Sequence, residues 1–82
     1  MKLTISQVNN EYASPAVYVY VDGRELGRIG AGESVSTETD MAPCPVRVVC
    51  GSYSANMIVG GDADLLVSWT LRPPGMELSR RS

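Results

Sequence analysis

The sequence predicts an all-β domain: a small antiparallel sandwich of two sheets and about seven strands. Apolar and polar residues alternate with a period of two in short runs, and those runs recur at intervals of roughly ten residues. Gly, Pro, Asn and Asp punctuate the gaps between them. No apolar spacing of three and four sustains itself, so no helix is expected. An open β-barrel fits the same spacing and is the alternative.

Leu3 and Ile5 alternate with Thr4 and Ser6, giving a first strand near residues 2–8, which Asn9-Asn10-Glu11 and Ser14-Pro15 then break. A second strand runs from Ala16 to Val21 and stops at Asp22-Gly23. Asp-Gly is a strong two-residue hairpin signal, because a type I′ turn needs positive φ at both central positions. The partner strand, Glu25 to Ile29, has Leu26 and Ile29 at opposite parity; a bulge at Gly27 places both on the core face. Gly30-Ala31-Gly32-Glu33 is the next turn. Val35 and Thr37 then alternate with Ser34, Ser36 and Glu38 in a weak, edge-like strand.

Ala42-Pro43-Cys44-Pro45 is a rigid connection into a strand near residues 46–50, and Gly51-Ser52 turns the chain. Tyr53, Ala55, Met57 and Val59 alternate with Ser54, Asn56 and Ile58 before a loop at Gly60-Gly61-Asp62. The last strand carries Leu65, Val67, Trp69 and Leu71 on one face, which places Trp69 in the core. The domain thus spans residues 1–72. Residues 73–82 begin Pro-Pro-Gly, show no apolar pattern and are expected to be a disordered tail.

The stretch Val19-Tyr20-Val21-Asp22-Gly23-Arg24-Glu25-Leu26-Gly27-Arg28-Ile29, followed by Gly32-Glu33-Ser34, resembles a small uncharacterised bacterial β-sandwich family, loosely similar to PEGA-type domains. That pattern runs V-x-V-D-G-x-x-V-G-x-I, then N-G-E, then a P-P-G turn into a strand. Here Ala31-Gly32-Glu33 stands for N-G-E, and Met41-Ala42-Pro43-Cys44-Pro45 stands for P-P-G. The likeness extends loosely over residues 2–71. It implies an Ig-like, PEGA-like sandwich serving as an accessory or interaction module, with no catalytic residues to carry over.

Eighty-two residues make one domain with a thin core, burying about 60–65% of the unfolded chain's surface. The 44% hydrophobic and 20% charged fractions are those of a globular protein. Cys44 and Cys50 lie six residues apart. On one strand that separates them by roughly 20 Å, and a disulfide needs Cα atoms within about 7 Å. Reduced thiols are therefore expected, in keeping with a cytoplasmic setting. The N-terminus alternates apolar and polar residues without the run of a signal peptide, and no stretch approaches the roughly 20 apolar residues of a membrane span. With no disulfide as a staple, self-association is the expected source of further stability.

The net charge is −2 and the seven basic residues are scattered, apart from Arg80 and Arg81, so no nucleic-acid groove is expected. The sequence has no His, which removes Ser-His-Asp and Cys-His arrangements, and Lys2 is its only lysine. It does not read as an enzyme, and no cofactor is expected. Gly60-Gly61-Asp62-Ala63-Asp64 has the look of a calcium repeat, yet such repeats bind as stacked copies and need six to eight oxygens. Zinc at Cys44 and Cys50 would need ligands from a second subunit.

Binding is the remaining class. If Val17, Val19 and Val21 face the core, Tyr18 and Tyr20 face outward together, where they would suit a protein partner or a carbohydrate. Packing of two ordinary surface residues, or an inverted strand with the tyrosines inside, are the competing readings. Few charges protect residues 34–39 and 53–59, so an edge strand there invites pairing with another chain or with the protein itself. The sequence therefore predicts a non-enzymatic interaction module that uses an edge strand or the Tyr18/Tyr20 face. A carbohydrate or small-ligand binding module is the alternative.

Overall fold

The computed structural model describes residues 1–8, 16–40, 42–71 and 74–81, so the break expected at residues 9–15 lies outside the described residues. Eight strands follow one another: β1 (Lys2–Gln7), β2 (Val17–Val21), β3 (Arg24–Ile29), β4 (Ser34–Glu38), β5 (Cys44–Cys50), β6 (Tyr53–Val59), β7 (Ala63–Leu71) and β8 (Pro74–Arg80). They form two four-stranded sheets, ordered β4-β1-β7-β8 and β3-β2-β5-β6. The sheets pack face to face, with β3 lying against β4 and β6 against β8. The chain is all-β, as its period-two pattern requires.

The turns form as their residues dictate. Asp22 and Gly23 have φ of 53° and 76°, the positive pair that closes a two-residue hairpin between β2 and β3. Gly51, at φ 59°, opens the Gly51-Ser52 turn between β5 and β6. In β3 the register shifts: Val19 pairs with Gly27 and Tyr20 with Glu25, leaving Leu26 as the extra residue. This is the bulge expected at the glycine, displaced by one position. Ile29 is buried and Leu26 packs against the core.

The core comes from alternate positions on the two inner faces. Leu3 and Ile5 of β1 and Leu65 and Val67 of β7 face Val17 and Val19 of β2 and Val46 and Val48 of β5. All eight are at most 1% exposed. Trp69 is only half-buried and packs at the rim of this core. Its ring meets that of Tyr53 edge-on, with centroids 5.8 Å apart.

Two expectations are corrected here, at the C-terminus and in the first sheet. Residues 74–80 are β8, paired antiparallel with β7, so the domain continues through the segment expected to be a disordered tail. Met76 and Leu78 alternate with Glu77 and Ser79 and bring a further pair of apolar side chains to the core. The described residues thus hold eight strands, close to the number expected. The first sheet is also not wholly antiparallel, because β1 and β7 run parallel, with Ile5 opposite Leu65. A hairpin turn dictates the direction of adjacent strands, but β1 and β7 meet only after the chain has built the other sheet, and no local turn records their direction.

β5 begins two residues earlier than expected and includes Pro45. Its carbonyl accepts the Asp22 N–H at 2.9 Å, so residue 45 turns its backbone toward β2. The last β2–β5 pair is Val21 with Val46, which puts the proline nitrogen at the end of that ladder, where its missing N–H removes no strand bond.

Candidate functional site

The outer face of the second sheet is built by strand parity. With Val17, Val19 and Val21 turned into the core, Tyr18 and Tyr20 point away from it, Tyr18 41% exposed and Tyr20 half-buried. The inverted assignment is therefore excluded. Tyr18 stands between Arg28 of β3 and Val49 of β5, and Tyr20 between Glu25 and Arg47. The second row continues onto β6, where Asn56 pairs with Arg47. The two tyrosines thus share a face with a guanidinium on either side rather than forming a bare aromatic platform.

An open hollow of about 540 Å³ lies on this face, lined by Tyr20, Gly23, Pro45, Arg47, Val49 and Asn56. Arg47 and Asn56 supply donors, Tyr20 a ring and a hydroxyl, and Pro45 and Val49 an apolar floor. It is open to solvent rather than enclosed.

The face ends at β6, an edge strand with no strand paired beyond it among the described residues. In an antiparallel ladder the N–H and C=O of one residue point to the same side. Since Pro45 faces β2, Cys44, Val46, Val48 and Cys50 face β6, where their partners are Val59, Met57, Ala55 and Tyr53. Ser54, Asn56 and Ile58 therefore aim their backbone groups outward. Their side chains are exposed too, Ile58 at 70%.

The other three edges carry the devices that block strand addition. β3 bears Arg24, Glu25 and Arg28 and a bulge; β4 is five residues long with Glu38; β8 opens on Pro74 and carries Glu77 and Arg80. β6, seven residues reading Tyr-Ser-Ala-Asn-Met-Ile-Val, has no charge, proline, glycine or bulge. Both segments noted for sparse charge, 34–39 and 53–59, are edge strands, and the second is the unguarded one.

The metal candidates are not brought together. Asp62 accepts the backbone N–H of Lys2 at 2.6 Å, which fixes the start of β1 to the β6–β7 loop. Asp64 lies in β7, in a groove with Lys2, Thr4 and Arg80, and its Oδ1 is buried with no hydrogen-bond partner. Among the described residues no three His, Cys, Asp or Glu side chains are placed to hold a metal ion. Cys44 and Cys50 are free thiols at opposite ends of β5. Burial pushes the Cys44 thiol above its ordinary pKa, with the charge of Asp22 adding to the effect.

Sequence reasoning missed Gln7. It is 2% exposed, accepts the indole N–H of Trp69 at 2.8 Å and donates to the Ile29 carbonyl at 2.9 Å. The only signal was a glutamine at an inward position of β1, after Leu3 and Ile5. No helix among the described residues is long and apolar enough to cross a membrane. No family model matches the chain, and neither the curated proteins nor the solved structures give a match.

Proposed function

We propose that this domain is a non-enzymatic interaction module that binds a protein partner by strand addition at β6, with the Tyr18/Tyr20 face beside it supplying side-chain specificity. The observation that carries this is the contrast among the four edges: three are blocked, and β6 is neutral, free of bulges and shares its outer face with Tyr18 and Tyr20. Main-chain hydrogen bonds to Ser54, Asn56 and Ile58 would supply affinity, and the hollow around Tyr20 and Arg47 would read the partner's side chains. The absence of His from the sequence supports a role without acid–base chemistry. The turn chemistry at residues 19–34 supports reading the sandwich as PEGA-like or Ig-like.

The test is a displayed library of extended heptapeptides, panned on the wild-type domain and counter-selected on Asn56→Pro. Selected peptides should protect the Ser54, Asn56 and Ile58 amides from exchange, and Tyr18→Ser with Tyr20→Ser should weaken their binding without unfolding the domain. A library that returns no such peptide rejects the reading.

The hollow favours a second reading, a carbohydrate or small-ligand site, since Tyr20, Arg47 and Asn56 combine a ring with polar donors. An oligosaccharide titration that shifts Tyr18 and Tyr20 while leaving the edge amides unmoved would select it.

A further inference from the structure

We infer that the strand added at β6 is β6 of a second copy of this chain, paired antiparallel about a two-fold axis that passes beside Asn56. The inference rests on the reading of β6 as a binding edge and names its occupant.

The available backbone groups fix the register. Only Ser54, Asn56 and Ile58 of β6 face outward, so hydrogen-bonded rungs must join these residues to one another. One antiparallel register uses all three. It sets Asn56 opposite its own counterpart and Ser54 opposite the second copy's Ile58, each rung exchanging both N–H···O bonds. Sliding by two residues leaves one of the three without a rung, and sliding by one turns the pleat inside out.

The side chains agree with that register. On the inner face, half-buried Ala55 falls opposite the second copy's Met57, a small residue against a long one. On the same face Tyr53, 39% exposed, falls opposite Val59. On the outer face the 70% exposed Ile58 is flanked by short, uncharged Ser54 and Asn56 rather than by water. The amide of Asn56 meets an identical amide, and Asn side chains pair with their own kind through donor and acceptor.

On the outer face no charge opposes the pairing. β6 is uncharged, and the nearest charge on this face, Arg47 of β5, would lie three strand spacings from its counterpart, about 14 Å. That exceeds the Debye length of about 8 Å at physiological ionic strength. The other edges are worse occupants, since the charges of β3 and β8 and the bulge of β3 would face a strand with nothing to answer them. The result is a continuous eight-stranded sheet with the Tyr18/Tyr20 surface repeated on both halves, closed by symmetry and leaving no further copy to add at β6.

The experiment is solution mass by light scattering from micromolar to millimolar protein, in reducing agent, on wild type and three variants. Wild type should be a reversible dimer. Asn56→Pro should weaken it by more than about tenfold, because the self-opposed rung loses both its bonds in one substitution. Asn56→Lys and Asn56→Asp, exposed changes that leave the backbone intact, should each be monomeric alone, since like charges would stand directly opposite on one face, carried by Cα atoms about 5.5 Å apart. Mixed together they should restore the dimer.

A wild type that stays monomeric, a dimer that survives Asn56→Pro, or a Lys/Asp mixture that fails to pair overturns the inference. If wild type is monomeric while library peptides still protect the Ser54, Asn56 and Ile58 amides, only the second copy is lost and the interaction-module reading stands. If neither occurs, both fall.

Discussion

Gln7 accepts the indole N–H of Trp69 at 2.8 Å and passes a hydrogen bond on to the Ile29 carbonyl at 2.9 Å, linking β7, β1 and β3 and so joining the two sheets. Most of the interior between the sheets is apolar and would tolerate sliding of one sheet over the other. A directional contact at one end fixes their relative placement. The backbone of Gln7 adds to this, donating to Glu33 O at 3.0 Å and accepting from Gly32 N at 3.1 Å.

Replacing Gln7 by Leu should therefore destabilise the domain by about 2 kcal/mol despite the gain in apolar volume, because the buried Ile29 carbonyl loses its donor and the half-buried indole its acceptor. Urea unfolding measures the loss. Trp69 emission should shift to the red as its N–H turns to water. Combined with Trp69→Phe the costs should fall short of additive by about 1 kcal/mol, since both changes delete the same bond. Additive costs would show that the two side chains do not act as a pair.

The β2–β3 hairpin makes a separate prediction. Gly23 sits at φ 76° with open space where a Cβ would stand, so Gly23→Ala meets no clash and its cost is purely that of the backbone. About 1–2 kcal/mol of destabilisation is expected. Asp22, at φ 53°, should by contrast gain stability on replacement by Gly or Asn. Opposite signs at neighbouring positions, read from denaturation midpoints, test the turn geometry directly.

What was legible in the sequence is what local chemistry encodes. Asp22-Gly23 announced its hairpin, and alternation in β2 offered Tyr18 and Tyr20 as the outward pair if Val17, Val19 and Val21 faced the core, which is the arrangement the strand adopts. The parallel β1–β7 pair was not legible, because its partners are about sixty residues apart in sequence and no turn joins them. Nor was the direction of the Pro45 backbone, on which the free groups of β6 depend: it follows from Asp22 meeting Pro45 across strands. That β6 is an edge is a property of strand order, and strand order is global.

Cys44 links stability to pH. Burial first, and the charge of Asp22 second, raise its thiol pKa above the ordinary 9.0. A raised folded-state pKa means that the native chain holds this proton where the unfolded chain has released it. The corresponding stability is present in full below pH 9.0 and is lost as pH rises through the folded value. Urea midpoints measured from about pH 8 upward should fall more steeply for wild type than for Cys44→Val. In the native state near pH 8, a thiol reagent should modify half-buried Cys50 well before Cys44.

β8 provides the sharpest test of the domain's extent. Pro73-Pro74-Gly75 looks like a terminator, but a proline is tolerated as the first residue of a strand, and Pro74 occupies that position opposite Leu71. Beyond it, Met76 is 8% exposed and pairs with Trp69, while Leu78 pairs with Val67. Removing residues 73–82 would strip both apolar side chains from the core and convert β7 from an inner strand into a bare edge. Met76→Ala alone should cost about 2–3 kcal/mol, a large share of the roughly 5 kcal/mol that a domain of this size commands. The chain ending at residue 72 should accordingly lose its cooperative thermal transition and the near-ultraviolet circular dichroism of Trp69. Full retention of both would mean that four strands facing three suffice and that β8 is an ornament of the fold. A graded result is also informative: loss in the truncated chain with recovery on adding the 73–82 peptide in trans would show that β8 acts by docking onto the edge of β7.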